Sequence, residues 1–243
     1  MIKTIDIVMT AAFRPEILSQ TLFSLKRNLI WDGKFRLIID IAPVPAVEES
    51  LVVPTQCSLV NLAKSYFPCT LSRMLLDSPQ ADALKWTWKN ATSDYILQWE
   101  DDWELTKKVD LEKMLTCFLP KTGMMYFDRA GKSVLDYSGY VGAFRLRSNN
   151  VWERIKGKSL GGPPALLKRE YAHRALSFVD GTTCLDLLAA RTDVQEFLSE
   201  WEIAVYLGEH GQASLVKDIG KAWKKEQGIT MKKNTKRGVT WSR

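Results

Sequence analysis

Three consecutive carboxylates, Glu100-Asp101-Asp102, follow directly on the apolar run Tyr95–Trp99. Adjacent carboxylates repel one another unless something positive neutralises them. A hard divalent cation with oxygen ligands does this, held by one or two carboxylates together with substrate phosphates. A solvated acidic turn is the competing reading. Placement at the end of a strand, where side chains are held in a fixed frame, favours the metal.

A second concentration of charge is basic. From Lys217 to Arg243 the chain has nine basic and two acidic residues, a local charge of +7, so residues 1–216 carry −1 and the whole chain +6. Lys217, Lys221, Lys224 and Lys225 fall at helical spacings, and Lys232, Lys233, Lys236 and Arg237 follow, with Trp223 and Trp241 nearby. Three readings stay open: a solvated basic face, a segment folding over a phosphate-bearing ligand, or a track for an anionic polymer with tryptophans as stacking surfaces.

Other chemistries lack their residues. There is no G-x-G-x-x-G, no G-x-S-x-G and no H-E-x-x-H. Gly157-Lys158-Ser159 ends like a phosphate loop, but Trp152 stands where the first glycine is required. With only His173 and His210, zinc chemistry on Cys/His clusters is not expected. His173, beside Arg169 and Arg174, reads as a solvated face residue.

The elements that must position the acidic run are legible. Ile5–Met9 reads as a strand buried on both faces, and Pro15 opens a helix carrying Leu18, Leu22, Leu25 and Leu29 on one side. Phe35–Ile41, Thr70–Leu76 and Tyr95–Trp99 read as strands, with helices marked by Leu59–Tyr66 and Ala81–Ala91 between them. The alternation predicts an α/β fold with a mainly parallel sheet flanked by helices, in one domain of 243 residues. In such sheets ligands bind outside the carboxyl ends of the strands. Thr10–Arg14, Asp40 and Glu100–Asp102 all fall there.

The second half reads as a loop region over 128–164, helices over Ala165–Leu176 and Cys184–Leu198, a strand at Ile203–Leu207 and a helix from Ser214 to Lys225. Residues 228–243 show little apolar periodicity. The division expected is a nucleotide-binding half (1–127), an acceptor-side half of the same domain (128–216) and a basic helix and tail (217–243). Four scattered cysteines read as reduced, mostly buried thiols. The chain has no apolar run near the roughly 20 residues of a membrane span, so a cytoplasmic protein is expected, in a host cytoplasm if the chain is phage-encoded.

The segment Ala81–Trp103, and within it Ala91-Thr-Ser-Asp-Tyr-Ile-Leu ahead of the acidic triplet, resembles the approach to the D-x-D-type motif of GT-A-fold glycosyltransferases, family-2-like ones above all. Thr10–Leu25, with its Arg14-Pro-Glu-Ile-Leu-Ser-Gln-Thr-Leu-Phe-Ser-Leu25 run, is similar to that family's first turn and helix. The resemblance covers residues 4–127 well and the rest loosely. It departs at Thr10 and Phe13, where the family often has Pro and Asn, and at Ile41-Ala42 after Asp40.

The resemblance implies a GT-A-like (Rossmann-like) fold and transfer of a sugar from a nucleotide-sugar donor, with a UDP-sugar first in line. By the same token Thr10, Ala11 and Arg14 border the nucleotide with Asp40 nearby, Glu100 and Asp101 sit by the ribose and metal, and Asp102 ligates Mn²⁺ or Mg²⁺. His210, in Gly208-Glu-His-Gly211, is either a further ligand or a surface-loop residue. An inverting enzyme needs a base, for which Asp180 and Asp186 are the candidates; each also has a plain reading, Asp180 as a turn residue and Asp186 as a helix N-terminal charge. Lys221, Lys224, Lys232 and Lys233 are candidate acceptor or diphosphate contacts. The basic end, loosely similar to phage-type family-2 enzymes, makes a hydroxymethylated base in DNA one acceptor and a surface polysaccharide another. Nucleotidyl transfer and a non-catalytic nucleic-acid-binding module are the rival classes.

Overall fold

The structure, a computed structural model, describes residues 4–42, 49–75, 79–129, 144–148, 150–154, 160–162, 164–181, 183, 188–208, 214–226, 230–234 and 238–242. Its first strand, β1 (Thr4–Ala12), is apolar on one face (Ile5, Ile7, Met9) and carries Asp6, Val8 and Thr10 on the other. Both faces are covered, as the sequence of a central parallel strand requires. The turn ends at Pro15, which opens α1 (Pro15–Asn28) where a missing N–H costs nothing. Glu16 in its first turn and Lys26 and Arg27 in its last complement the helix dipole.

The following elements are β2 (Leu29–Ile30), β3 (Lys34–Ala42), α2 (Glu49–Tyr66), β4 (Thr70–Met74), α3 (Gln80–Asn90), β5 (Tyr95–Glu100), β6 (Trp103–Leu105), β7 (Val109–Asp110), α4 (Leu111–Thr116) and β8 (Thr122–Phe127). The second half adds β9 (Phe144–Ser148), β10 (Val151–Arg154), β11 (Ala165–Lys168), α5 (Arg169–Ala175), α6 (Thr192–Ser199), β12 (Glu202–Tyr206), β13 (Val216–Asp218), α7 (Gly220–Glu226), β14 (Thr230–Asn234) and β15 (Gly238–Ser242). Nine strands form one sheet in the order β4-β3-β1-β5-β11-β8-β12-β10-β9. The strands β4, β3, β1 and β5 are parallel, and β8 and β12 run the same way; β11 and β10 are antiparallel to their neighbours. The sheet is therefore mostly parallel and mixed.

One hydrophobic layer lies between the sheet and α1, built on Ile7, Met9, Leu18, Leu22, Leu37, Ile39 and Trp99. The other lies under α3, α5 and α6, built on Val8, Ile38, Trp88, Ile96, Tyr171 and Phe197. In β8, Gly123 sits against the Tyr171 ring, where a Cβ would come within 2.5 Å of a ring carbon. Only glycine allows that approach.

Several sequence expectations are corrected. Ala165–Leu176 is not one helix: Ala165, Leu166 and Leu167 fill the gap between β5 and β8 as a strand, and the helix starts at Arg169. Ser214–Lys225 breaks into β13, which pairs with β6, and the short α7. The region read as loop contains β9 and β10, and the unpatterned end contains the antiparallel pair β14–β15. Within Cys184–Leu198 the helix is interrupted at residues 189–191 and runs over Thr192–Ser199, while residues 184–187 lie outside the described residues. Cys57 and Cys69 are exposed and Cys117 is half-buried, so burial is not the general state of these thiols. His173, though exposed, has its Nε2 3.1 Å from the Trp88 carbonyl and 3.2 Å from the Ala91 carbonyl. Two acceptors fix Nε2 as the protonated nitrogen, so His173 ties the end of α3.

Candidate active site

At the carboxyl edge of the parallel strands, Thr10 of β1 is paired with Asp40 of β3 on one side and with Glu100 of β5 on the other, while Asp40 is paired with Arg73 of β4. Paired residues of adjacent strands share a face, so Arg73, Asp40, Thr10 and Glu100 form one polar row. The start of α3 covers it. Gln80 Nε2 donates to Glu100 Oε1 at 2.7 Å, and Arg73 Nη2 meets Asp82 Oδ2 at 2.8 Å. The Arg73 guanidinium also lies over the Trp86 ring, 5.0 Å from its centroid, and its Nε pairs with the fully buried Asp40 carboxylate. Asp40 therefore meets Arg73 directly, and Arg73 is the more exposed of the two.

The residue after Glu100 points the other way. Asp101 turns toward α1, where Arg14 holds it in a fork: Nε to Oδ2 at 3.1 Å and Nη2 to Oδ1 at 2.5 Å. The Ala12 N–H adds a third bond to Oδ2, and the Thr21 hydroxyl donates to the Asp101 carbonyl at 2.6 Å. Arg14 is 3% exposed. Burial alone would lower its pKa, but Asp101 and Asp102 outweigh that and raise it. Burial pushes the Asp101 carboxyl up to about 6 against the pull of Arg14, with the Asp102 charge adding to the rise. Burial and the Asp102 and Asp101 charges push Glu100 up to about 7, although Gln80 and Arg129 oppose them.

Asp102 is buried under the C-terminal segment. Its carbonyl accepts the Ile219 N–H at 2.9 Å, and the strand after it, β6, forms an antiparallel ladder with β13. Gly220 presses on the carboxylate: a Cβ there would fall 2.2 Å from Oδ2 and 2.7 Å from both Cβ and Cγ of Asp102. Arg14 Nη1 at 3.3 Å and Lys224 Nζ at 3.6 Å converge on the same Oδ2. The Arg14 guanidinium lies over the Trp223 ring, 5.4 Å from its centroid. The segment is also tied at Asp128, which follows β8: its Oδ2 accepts the Ser214 N–H at 2.5 Å and its carbonyl accepts the Val216 N–H at 3.1 Å.

The three carboxylates thus diverge, one to each face and one to the C-terminal segment. Among the described residues no three Asp, Glu, His or Cys side chains converge as a ready-made cage. The donor set still fits a hard cation of the kind that takes one or two carboxylates and completes its shell from phosphates. Asp102 Oδ1 makes no hydrogen bond among the described residues, and Asp102 is close enough to Glu100 for its charge to raise the Glu100 pKa. Asp101, held on both oxygens, is a brace.

Of the remaining sequence candidates, Thr10 is half-buried and Ala11 buried. Asp180 is exposed and closes a turn, accepting both the Thr183 N–H and hydroxyl at 2.7 Å. The next residue, Gly181, approaches Asp82, so this turn lies beside the start of α3. Lys221 bends onto Asp218, with Nζ to Oδ2 at 3.2 Å, and not onto the triplet. Lys232 and Lys233 lie on β14, and their side chains, like Asp186 and His210, lie outside the described residues. Trp223, read from the sequence as a stacking surface, stacks on Arg14, whereas Arg73, Gln80, Asp128 and Gly220 were not foreseen. Only Asp128 carried a signal, since it ends an apolar strand just as Asp40 and Glu100 do.

Sheet order, flanking helices and a polar edge at the strand carboxyl ends define an α/β fold of GT-A-like architecture. No protein-family model matches the chain, and no curated protein matches it. Among solved structures it is similar to residues 1–349 of TarS from S. aureus in complex with UDP-GlcNAc, at 10% identity and a TM-score of 0.50, over 88% of this chain and 58% of that one. It is also similar to the mannosyltransferase PcManGT from Pyrobaculum calidifontis in complex with GDP-Man and Mn²⁺, at 10% identity and a TM-score of 0.51, over 83% of this chain and 56% of that one. The chain spans somewhat more than half the length of these structures, and the likeness is one of fold. No described helix is long and apolar enough to cross a membrane.

Proposed function

We propose that this chain is a glycosyltransferase that moves a sugar from a nucleotide-sugar donor, a UDP-sugar in the first instance, to an acceptor hydroxyl. The observation that carries the reading is Asp102, a buried carboxylate with two cations on one oxygen, beside the polar row at the carboxyl edge of a GT-A-like sheet. In this reading 1–127 binds the donor, 128–216 faces the acceptor and 217–243 closes over the site. Thr10 and Ala11 border the nucleotide, and Asp40 acts through Arg73, whose guanidinium donors suit carbonyl and phosphate oxygens.

Asp102 and Glu100 would hold Mn²⁺ or Mg²⁺, with His210 as a further ligand. The chemistry such an ion supplies is neutralisation of the diphosphate that leaves with the nucleotide. Arg14 keeps Asp101 fixed and so fixes the turn on which Asp102 stands. Lys224 brings a positive charge within reach of the same diphosphate, with Lys221 behind it. Asp180, on the turn beside α3, would take the acceptor proton, and Asp186 is the alternative base. For the acceptor, the +7 charge of the last 27 residues favours a polyanion. A hydroxymethylated base in DNA, with Lys232 and Lys233 on its phosphates, is the proposed case, and a surface glycan is the alternative.

The test is release of nucleoside diphosphate with Mn²⁺ across a panel of nucleotide sugars, with and without hydroxymethylated DNA. Release that collapses in Asp102→Asn is expected. Full activity in that variant overturns the metal assignment, and pyrophosphate in place of nucleoside diphosphate moves the chain to nucleotidyl transfer.

A further inference from the structure

A lysine on a short surface helix normally extends into water. Lys224 does not: its side chain is 19% exposed, and its ammonium lies 3.6 Å from Asp102 Oδ2. The backbone dictates this. β13 is zipped to β6, the Ile219 N–H is bonded to the Asp102 carbonyl, and Gly220 passes so close to the carboxylate that no side chain fits between them. The helix that starts at Gly220 then delivers Trp223 onto the Arg14 guanidinium and Lys224 onto Asp102. Gly220 and Lys224 thus fall on the carboxylate that the proposed function gives to the metal, Ile219 on the carbonyl of the same residue and Trp223 on its partner Arg14.

We infer that α7 is a built-in latch, with Lys224 acting as a stand-in cation that competes with the divalent ion for Asp102. The inference rests on the metal reading above. A carboxylate shared with Arg14 and Lys224 already has its charge compensated. A divalent ion added to it faces two fixed positive charges at close range, an unfavourable Coulomb interaction even in a partly solvated site. Arg14 is anchored in the core by Asp101 and cannot leave. Lys224 sits on a seven-residue helix at the surface and can. Metal binding therefore requires the lysine to withdraw. A donor diphosphate supplies the withdrawn ammonium with a new partner, so that donor and metal bind with positive coupling and the metal alone binds weakly.

The experiment is a titration of the full chain with Mn²⁺ alone, read from the free-ion electron paramagnetic resonance signal, with no nucleotide and no turnover. Lys224→Gln is expected to bind Mn²⁺ about tenfold more tightly than the parent. Lys225→Gln makes the same change of net charge on the exposed side of the helix and should stay within about twofold. Gly220→Ala keeps every charge but forces the segment off Asp102, and should tighten Mn²⁺ in the same direction as Lys224→Gln. Adding UDP should tighten the parent's Mn²⁺ binding more than that of Lys224→Gln. Equal Mn²⁺ affinity in the parent and Lys224→Gln, or an equal gain in Lys225→Gln, overturns the latch and leaves the metal site standing. No Mn²⁺ binding by any variant, with or without UDP, overturns the metal site and the latch together.

Discussion

The two ends of the central strands hold the same kinds of residue in opposite electrostatic states. At the amino end of β1, the fully buried Asp6 accepts Arg36 Nε at 2.8 Å and Nη2 at 2.7 Å, and the backbone N–H groups of Thr92 and Ser93 at 2.6 and 2.8 Å. Burial alone would raise its pKa, but Arg36 and the two N–H groups outweigh that and lower it. Four donors serve one carboxylate. At the carboxyl end Arg14 is better buried than Arg36 and also forks onto a carboxylate, yet burial, with the charges of the neighbouring carboxylates added, pushes Glu100 up to about 7 and Asp101 to about 6. The first arrangement needs no purpose beyond folding. The second keeps carboxylates that are costly to ionise side by side, which suits the cation that the proposed function places there.

The comparison can be broken by matched substitutions. Asp102→Asn should cost the most: nucleoside diphosphate release falls about a thousandfold, near 4 kcal/mol of transition-state stabilisation, while the thermal midpoint stays within a few degrees. Asp6→Asn should do the converse. It leaves Arg36 and two backbone N–H groups without their ionised acceptor and costs about 3 kcal/mol in urea unfolding, with activity per folded molecule unchanged. If Asp6→Asn abolished donor hydrolysis in protein that remained folded, the two ends would not be separable. Arg14→Lys is intermediate. A point charge replaces the fork, and a loss of about 1–2 kcal/mol in stability is expected together with weaker donor binding.

The same asymmetry governs what was legible in the sequence. The first half announced itself because parallel strands buried on both faces are continuous apolar runs, as in Ile5–Met9 and Tyr95–Trp99, and their carboxyl ends could be read off directly. The strand β11 was hidden because Ala165-Leu-Leu-Lys168 suits a helix equally well. Pairing on both sides with β5 and β8 decides it, and local sequence carries no trace of that. The triplet was found, but alternation of side chains along a strand sends its members to different places, and the Arg14–Asp101 fork joins residues 87 positions apart. The basic end was seen as charge. That one of its lysines turns inward depends on the β6–β13 ladder, which three residues, Val216-Lys-Asp218, do not advertise.

The smallest effect is also the most direct reading of the contrast, because the two ends must respond to pH with opposite sign. Asp6 has a folded pKa below its unfolded value of about 3.9. Its stabilisation is present above that pH and is lost as pH falls through the folded value. Glu100 and Asp101 have folded values near 7 and 6, above unfolded values of about 4.3 and 3.9. Between those limits the folded state binds more protons than the unfolded state, so their contribution is full below about pH 4 and is lost as pH rises toward 7. Melting curves in EDTA from pH 3 to 8 should therefore separate the variants. Relative to the parent, Glu100→Gln should gain midpoint steadily from pH 5 to 8, by about 2 °C, because it removes a carboxylate that is costly to ionise. Relative to the parent, Asp6→Asn should lose midpoint above pH 4 and approach it again only in acid. Parallel curves for the parent and Glu100→Gln would mean that Glu100 is no costlier to ionise in the folded protein than in the unfolded one, and the contrast between the two ends would fall.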